Sequence, residues 1–318
     1  MVGKDTIIGI GNIYLETDFL GVNSGEQDSL EPNKSYSSTS YETYVGGSTT
    51  NFIKQLKKLG RNVGLIARIG KDETGKEVKR LLEADGITVE YLVESEEVQT
   101  SIVVGIVLSH NGEHIPVIGG DANQNLRFSD IDFGLSLFNE ASAVYLSGYF
   151  KQEKLWRDYP TLFSQLKDKG IKVFVDPQRL YPDTQDEQLE VFRASLRYVE
   201  GLFLNEQEIK GITKEDDQRE ALEKLSADGP KFIALKLGER GCVVCSDGNY
   251  YESEGISVSV VSTVGAGDSF NAGFITQYLL GKSLEGCAHF ANATAALKVS
   301  QIKMPTREDV LKFMSKLT

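Results

Sequence analysis

A glycine-rich turn between two apolar runs constrains this chain more than any other feature. The strand-like run at residues 256–261 leads through Gly265, Ala266 and Gly267 into the helix-like run at residues 270–280. A helix that begins at such a turn leaves several backbone N–H groups unpaired at its positive end. Because the two glycines lack a Cβ atom and Ala266 has only a methyl group, a phosphoryl-sized anion can approach the backbone closely. The turn therefore predicts an anion site.

Asp268 is the acidic residue of this turn. A carboxylate in the first turn of a helix favours the helix electrostatically, but it repels a bound phosphoryl group. That repulsion is acceptable where the carboxylate serves the chemistry, for instance by accepting a proton from an attacking hydroxyl. The alternative is a glycine-rich turn with an acidic residue near the helix N-cap, and the turn alone does not separate the two interpretations.

Charge and composition exclude several classes of partner. The 318 residues carry a formal net charge of −12, whereas nucleic acids and anionic membranes attract clustered lysine and arginine. No apolar run approaches a membrane span, and the first residues lack the long apolar stretch of a signal peptide. We therefore expect a cytoplasmic protein with no nucleic-acid or membrane partner, long enough for one large α/β domain or two smaller ones.

The three cysteines are too few for a disulfide framework, although Cys242 and Cys245 have the spacing of a metal or redox pair. Their segment has the pattern of a strand, in which residues three apart point to opposite faces. No second pair completes a zinc site, and two of the three histidines flank a predicted hairpin turn at Asn111-Gly112. We expect no metal or redox role for these residues.

Strand-like runs alternate with amphipathic helix-like runs along most of the chain. Strands are predicted at residues 6–10, 63–69, 143–146, 172–175, 201–204 and 231–236, and two of the intervening helices at residues 129–139 and 152–167. This alternation is typical of an α/β domain with a parallel sheet. Residues 14–44 and 87–117 interrupt it with further strand patterns, which are predicted to join in one separate sheet.

Ligands of open α/β sheets bind at the carboxyl ends of strands, where this chain has several polar residues. Asn205 and Glu208 follow one predicted strand and share a face of the next helix, because they are three residues apart. They could orient water around Mg²⁺, which prefers a few oxygen ligands and retains its waters. Helix capping by Asn205 is the alternative, and the two residues alone favour it. No Walker-type phosphate-binding motif is present.

Over essentially its whole length the chain resembles the ribokinase-like (PfkB) carbohydrate kinases. The most specific match is residues 263–274, which are similar to the C-terminal signature of that family almost residue for residue. Residues 46–51, Gly-Gly-Ser-Thr-Thr-Asn, resemble its N-terminal glycine signature. Further similar segments follow at residues 68–75, 121–123, 176–177, 205–208, 236–241, 291–293 and 305–307.

The resemblance implies one domain over residues 1–318 with the ribokinase-like fold, a three-layer α/β/α sandwich with a mainly parallel central sheet and a small β-sheet lid. The lid would comprise about residues 14–44 and 87–117, cover the substrate and join two subunits in a homodimer. Asp268 would be the base that deprotonates the substrate hydroxyl. The N–H groups of Gly265, Ala266 and Gly267 would stabilise charge on the transferred phosphoryl group.

The resemblance also assigns the ligands. Gly46, Gly47 and Asn51 would line the substrate pocket, together with Asp268 and a polar group at Glu16 or Asp18. ATP would be bound by Asn205, Lys236, Gly238, Gly241, Gly265, Gly267 and Asn292. Asn205 and Glu208 would act on Mg²⁺ through water.

Some residues depart from the family pattern. Ser262 stands where family members commonly have Asp, and residues 299–304 lack the glycine that often precedes the final Pro-Thr-Arg. Both places belong to the monovalent-cation loop of cation-activated relatives, so the sequence argues against such activation. Glu16 stands where Asp is usual, and residues 147–150 lack the acidic residue of ribokinases, so ribose is not the expected substrate.

The predicted function is ATP-dependent phosphorylation of a hydroxyl group, in particular a hydroxymethyl group, of a small sugar or sugar acid. A nucleoside kinase is the alternative, because residues 46–51 and 147–150 also resemble that branch. A non-catalytic ligand-binding protein on the same fold is less favoured, since the chain retains Asp268, the Gly-Ala-Gly turn and the Asn205 and Glu208 pair.

Overall fold

The computed structural model describes residues 5–23, 30–109, 114–301 and 303–317. Within them the strands are β1 (Thr6–Ile10), β2 (Tyr14–Val22), β3 (Ser40–Gly46), β4 (Asn62–Ile66), β5 (Arg68–Gly70), β6 (Val93–Ser95), β7 (Ile102–Leu108), β8 (His114–Gly119), β9 (Ala141–Ser147), β10 (Lys172–Asp176), β11 (Gly201–Asn205), β12 (Phe232–Lys236), β13 (Gly241–Ser246) and β14 (Asn249–Glu254). The α-helices are α1 (Ser48–Lys58), α2 (Glu73–Ala84), α3 (Ser136–Glu140), α4 (Tyr159–Asp168), α5 (Asp186–Ser195), α6 (Glu206–Thr213), α7 (Gln218–Ser226), α8 (Ala266–Leu279), α9 (Leu284–Val299) and α10 (Arg307–Met314). Short 3₁₀ helices lie at Phe128–Asp130, Tyr149–Lys151, Trp156–Asp158, Leu196–Tyr198 and Gly238–Arg240.

Eight strands form the central sheet, in the order β14-β13-β12-β11-β10-β9-β1-β4. Neighbouring strands are parallel from β4 to β12, and the β13–β14 hairpin adds two antiparallel strands at one edge. Parallel neighbours need crossover connections, which the intervening helices supply. The predicted mainly parallel sheet is confirmed.

Helices cover both faces of this sheet. One hydrophobic core contains residues of α3 to α7, and the other contains residues of α1, α2, α8, α9 and α10. Successive residues of a strand point to opposite faces, so Ile8 belongs to the first core and Ile7 to the second. Because the inner strands are buried on both faces, their sequences are continuous apolar runs. The predicted three-layer α/β/α architecture is confirmed.

Cys242 and Cys245 lie on opposite faces of β13, as predicted. Cys245 packs in the first core and Cys242 in the second. Both are free thiols, as is the buried Cys287. Among the described residues, no cluster of three or more His, Cys, Asp or Glu side chains could hold a metal ion.

A second, four-stranded sheet has the order β3-β2-β7-β8. Its faces differ in chemistry, because Glu16 and Asp18 are buried on one face of β2 whereas Phe19 on the other is partly exposed. Strands β7 and β8 join β2 and β3 as predicted. The first part of the predicted segment 87–117 does not join them, since β6 pairs with β5 in a separate two-stranded sheet.

Several local predictions were wrong. The predicted strand at residues 256–261 has no regular structure, because β14 is the sheet edge and Val260 and Val261 face solvent. The predicted helix at residues 129–139 is divided into a 3₁₀ turn and α3, with Gly134 between them. The predicted helix at 152–167 begins as α4 only at Tyr159, where a proline in the first turn favours a start.

No described helix combines the length and the apolar character that crossing a membrane requires. His289 is exposed on α9. The predicted turn at Asn111-Gly112 lies outside the described residues.

Candidate active site

Helix α8 begins directly at the glycine-rich turn, four residues before the predicted start. Gly265 is its N-cap and adopts a left-handed conformation with φ of 73°, which a glycine takes without strain. The N–H of Ala266 donates to the carbonyl of Thr263 at 3.2 Å, so the prediction that this N–H is free was wrong. Within the described residues, the N–H groups of Gly265, Gly267 and Asp268 have no backbone acceptor. These three donors are available to an anion, which is the role that the sequence predicts for the turn.

The Asp268 side chain lies in the first turn of α8 and is only 7% exposed. Burial raises the pKa of this carboxyl to about 7, and the negative charge of Asp176 adds to the increase. Lys236 and a hydrogen bond with Asn51 act in the opposite direction. A carboxylate whose pKa lies near neutrality is well matched to general-base catalysis at physiological pH.

A buried group of polar side chains lies beneath the turn. The Nζ of Lys236 is 2.7 Å from the Oδ2 of Asp176, and these residues end the strands β12 and β10. The amide of Asn271 donates to the same Asp176 oxygen at 2.7 Å and to the Tyr145 hydroxyl at 3.0 Å. Burial lowers the pKa of Lys236, but the attraction of Asp176 and Glu208 outweighs it, so the net shift is upward. The ammonium therefore stays charged.

Asn205 and Glu208 cap helix α6 reciprocally. The N–H of Asn205 donates to the Oε2 of Glu208, and the N–H of Glu208 donates to the Oδ1 of Asn205, both at 2.8 Å. The capping alternative is therefore correct, and one oxygen of each side chain is occupied. Burial, followed by repulsion from Asp176, raises the pKa of Glu208 to about 7.

The N-terminal glycine signature lies on the other side of the turn. Gly46 ends β3, Gly47 precedes α1, and Asn51 lies in the first turn of α1. A Cβ on Gly46 would lie 2.0 Å from the Oε2 of Glu16, so a larger residue would displace this carboxylate. Gly47 has a left-handed φ of 98°. The Asn51 amide nitrogen lies 3.8 Å from the position that a Cβ on Gly265 would occupy. The N-terminal glycine signature and the anion turn are thus brought together.

The carboxylates of Glu16 and Asp18 lie on the same face of β2, and both are buried. The Tyr44 hydroxyl donates to the Oδ2 of Asp18 at 2.7 Å. Burial and the neighbouring charge of Glu16 raise the pKa of Tyr44, so this phenol remains a donor. The carboxylates of Glu16 and Asp18 can accept hydrogen bonds from hydroxyl groups of a ligand.

The predicted nucleotide-binding residues fall into two groups. Gly238 has no neighbouring atom within 4 Å of an added Cβ, so it borders open space, and the Nζ of Lys236 lies 3.6 Å from the Cβ position of Gly267. Gly241 and Asn292 have structural contacts instead. A Cβ on Gly241 would lie 2.1 Å from the Ser253 carbonyl oxygen, and the amide of Asn292 donates to the carbonyls of residues 253 and 254. Gly241 allows β14 to approach β13 closely, and Asn292 ties β14 to α9.

Comparison with known proteins decides the family. The sequence profile of the pfkB family carbohydrate kinases matches residues 15–306. The chain belongs to this family. It is an ATP-dependent carbohydrate kinase, and its relatives act on sugars or sugar acids.

Three relatives of the kinase have similar length and limited identity. An uncharacterized sugar kinase of Archaeoglobus fulgidus is 27% identical, over 76% of this chain and 92% of that protein. The ribokinase of Haemophilus influenzae is 26% identical, over 89% and 92%. A 2-dehydro-3-deoxygluconokinase of the same organism is 26% identical, over 80% and 85%.

Solved structures share the fold of the kinase. Arabidopsis thaliana ribokinase complexed with ribose and ATP has a TM-score of 0.80 and 25% identity, over 98% of both chains. A Methanocaldococcus jannaschii nucleoside kinase has a TM-score of 0.76 and 24% identity, over 99% of both chains. A ribokinase-fold protein of E. coli with ATP and Mg²⁺ has a TM-score of 0.81 and 19% identity, over 98% and 99%.

Sequence reasoning missed two lysines near the site of this kinase. Lys151 lies on the wall of a cavity of about 610 Å³, which residues of the second sheet and of the main domain line. Its Nζ is 5.8 Å from the ring centroids of both Tyr14 and Tyr181. Lys298 lies near Gly265, and the only sequence signal for it is a lone lysine in an alanine-rich helix.

Proposed function

We propose that this kinase transfers the terminal phosphoryl group of ATP to a hydroxymethyl group of a small sugar or sugar acid. The observation that carries the proposal is the position of Asp268. Its buried carboxyl group, with a pKa of about 7, lies in the same helical turn as the unpaired N–H groups. A proton acceptor beside an anion site is what in-line phosphoryl transfer to an alcohol requires.

In this mechanism Asp268 accepts the proton of the substrate hydroxyl as its oxygen attacks phosphorus. The N–H groups of Gly265 and Gly267 donate to the phosphoryl oxygens, and Lys236 adds positive charge beside Gly267. The second sheet closes over the sugar, with Glu16 and Asp18 binding its hydroxyl groups. Excluding water in this way favours transfer to the sugar over hydrolysis of ATP.

The described residues fit Mg²⁺ only as an ion held mainly by ATP and water. Asn205 and Glu208 each use one oxygen for the cap of α6, which leaves the Oε1 of Glu208 for a water of the ion. Mg²⁺ commonly binds proteins through one or two carboxylates together with substrate phosphates. When bound, the ion would neutralise charge on the ATP phosphates.

The surroundings of Lys151 favour a sugar acid over a neutral sugar as the substrate. Its side chain makes no hydrogen bond or ion pair with any described residue, and it faces the cavity between two aromatic rings. Burial and the neighbouring Arg179 lower its pKa, and Glu16 acts in the opposite direction without an ion pair to Lys151. A substrate carboxylate would supply this charge, whereas a neutral sugar would leave the ammonium unpaired.

An ATP-consumption screen tests the function. Hexoses, pentoses, sugar acids and nucleosides are supplied separately with Mg²⁺–ATP, and the product is mapped by phosphorus NMR. We expect turnover with a sugar acid that carries a hydroxymethyl group, and none with Asp268→Asn. Turnover with nucleosides alone would favour the nucleoside kinase alternative. ATP binding without turnover on any acceptor would favour a ligand-binding protein.

The role of Lys151 is tested with a matched pair of variants. Lys151→Met should raise KM for the sugar acid about 10- to 100-fold, because a charge-assisted hydrogen bond is lost. Exposed Lys154 on the same loop provides the control, and Lys154→Met should leave KM unchanged. Equal KM values for both variants would remove the carboxylate assignment.

A further inference from the structure

The C-terminal end of α9 is tied to the glycine-rich turn. The carbonyl of Val299, the last residue of α9, accepts hydrogen bonds from the N–H groups of Val261 and Ser262 at 2.8 and 3.2 Å. The Oγ of Ser262 in turn accepts from the N–H of Val264 at 3.3 Å. These contacts fix the residue before Val299 at the entrance of the turn. That residue is Lys298.

The side chain of Lys298 points at the anion site. Its Cε lies 3.8 Å from the position that a Cβ on Gly265 would occupy. The residue as a whole is only 7% exposed, its ammonium makes no hydrogen bond or ion pair with any described residue, and that nitrogen is not among the fully buried polar atoms. Burial lowers its pKa. The aliphatic stem of Lys298 is thus buried beside the turn, while its ammonium has no protein partner and is available to a bound anion.

The surroundings of this ammonium are already positive. The first turn of α8 presents the N–H groups of Gly265 and Gly267, and the positive end of the helix dipole adds to them. At the other end of the turn, Lys236 is neutralised by its ion pair with Asp176. Lys298 has no such partner. An anion between Lys298 and the turn would remove this repulsion and satisfy both groups.

A purely structural role for Lys298 does not explain why its side chain lies beside Gly265. Lys298 occupies the last turn of α9, where a cation interacts favourably with the negative end of that helix. This interaction does not require the side chain to reach Gly265, since a lysine that extends into solvent from the same turn would provide it.

We propose that Lys298 is a phosphoryl-binding residue, whose ammonium contacts an oxygen of the ATP phosphates or of the phosphoryl group in transfer. This role rests on the proposed function, because it assigns the anion of that site. With Lys298 at Gly265 and Lys236 at Gly267, the turn has a cation at each end. A fixed ammonium at this position supplies the charge that a bound monovalent cation would otherwise contribute.

Binding of pyrophosphate and of ATP to the intact protein tests this proposal separately from catalysis. Calorimetry compares the wild type with Lys298→Met, Lys298→Arg and the exposed control Lys312→Met. We expect Lys298→Met to weaken pyrophosphate binding about 10- to 100-fold, the size of a lost charge-assisted contact. Lys298→Arg should retain most of the affinity, and Lys312→Met should retain all of it.

The outcomes separate the two proposals. If the wild type phosphorylates a sugar and folded Lys298→Met binds pyrophosphate and ATP normally, Lys298 has no role in anion binding and the function stands. If no sugar is phosphorylated but Lys298→Met loses pyrophosphate affinity, the anion role stands and the proposed transfer to a hydroxymethyl group of a sugar or sugar acid fails. A wild type that binds neither anion overturns the role of Lys298. Because methionine keeps the buried aliphatic stem and removes only a charge without a protein partner, we expect the variant to fold, and Lys298→Gln provides the same comparison if it does not.

Discussion

The ammonium of Lys236 lies 2.7 Å from the buried carboxylate of Asp176, directly beneath the turn that carries Asp268. This ion pair affects two other acids. The charge of Asp176 raises the pKa of both Asp268 and Glu208, after burial, and Lys236 lowers both. The protonation state of the proposed base is therefore set in part by a carboxylate that belongs to a different strand.

The first prediction concerns this control by Asp176. In the wild type, kcat/KM should fall as the pH decreases through about 7, because protonated Asp268 cannot accept a proton. Asp176→Asn removes a repelling charge and releases the positive charge of Lys236, so the pKa of Asp268 should fall. The acid limb of the pH profile should therefore move to lower pH, which initial rates at saturating ATP will show.

Glu208 provides the control for this experiment, because its pKa is also raised to about 7. Glu208→Gln should leave an acid limb near neutrality. An acid limb that disappears in Glu208→Gln would assign the titration to Glu208 and contradict the role of Asp268.

The second prediction concerns stability. Burial raises the pKa of Asp268 from 3.8 to about 7, so the folded protein binds this proton more tightly than the unfolded chain. The resulting stability is fully present below pH 3.8 and is lost as the pH rises through about 7. At pH 8 the charged carboxylate should cost up to about 4 kcal/mol. Asp268→Asn should therefore unfold at a higher urea concentration than the wild type at pH 8, with a smaller difference at pH 5. An equal difference at both pH values would contradict the raised pKa.

The sequence predicted the parts of the site that depend on local backbone chemistry. Gly265 and Gly267 predict a turn at the start of a helix, and this prediction needs no knowledge of distant contacts. The alternation of strands and helices predicted the central sheet, because buried parallel strands have a distinctive apolar pattern. Polar residues at strand ends then predicted where Asn205 would lie.

The remaining features depend on contacts between distant segments. The Asp176–Lys236 pair joins residues 60 positions apart, and Asn271 on a third element completes it. The hydrogen bond from the Asn292 amide to the β13–β14 hairpin also cannot be predicted from the neighbouring sequence. The N–H of Ala266 was expected to be free because the sequence could not show that the turn closes onto Thr263. Side-chain partners of this kind follow only from tertiary packing.

The third prediction concerns the second sheet. The face opposite Glu16 and Asp18 exposes large apolar side chains, including Tyr41 at 67% and Val117 at 59%. Exposed apolar patches of this kind commonly form interfaces. We expect this face to join two copies of the chain, and Val117→Lys to shift the protein from dimer to monomer by light scattering. Lys312→Met is the matched surface control. A wild type that stays monomeric at high concentration would exclude this interface.

The last prediction is that turnover depends little on K⁺. A carboxylate at position 262 would help to hold such an ion, but this chain has Ser262, whose Oγ already accepts a hydrogen bond from Val264. The Val299 carbonyl, another oxygen at this position, accepts from the N–H groups of Val261 and Ser262. Hard monovalent cations bind several oxygen ligands, and losing a full negative charge at a partly buried site weakens binding further.

Lys298 adds a second reason, because its fixed ammonium beside Gly265 repels another cation. We therefore expect kcat and KM for ATP to change by less than about twofold when K⁺ is replaced by tetramethylammonium at constant ionic strength. Initial rates with the substrate found in the screen provide the measurement, and Na⁺ in place of K⁺ provides a control for ion size. A large loss of turnover that millimolar K⁺ reverses would show that backbone carbonyls alone suffice to bind the ion, and that Ser262 and Lys298 do not replace it.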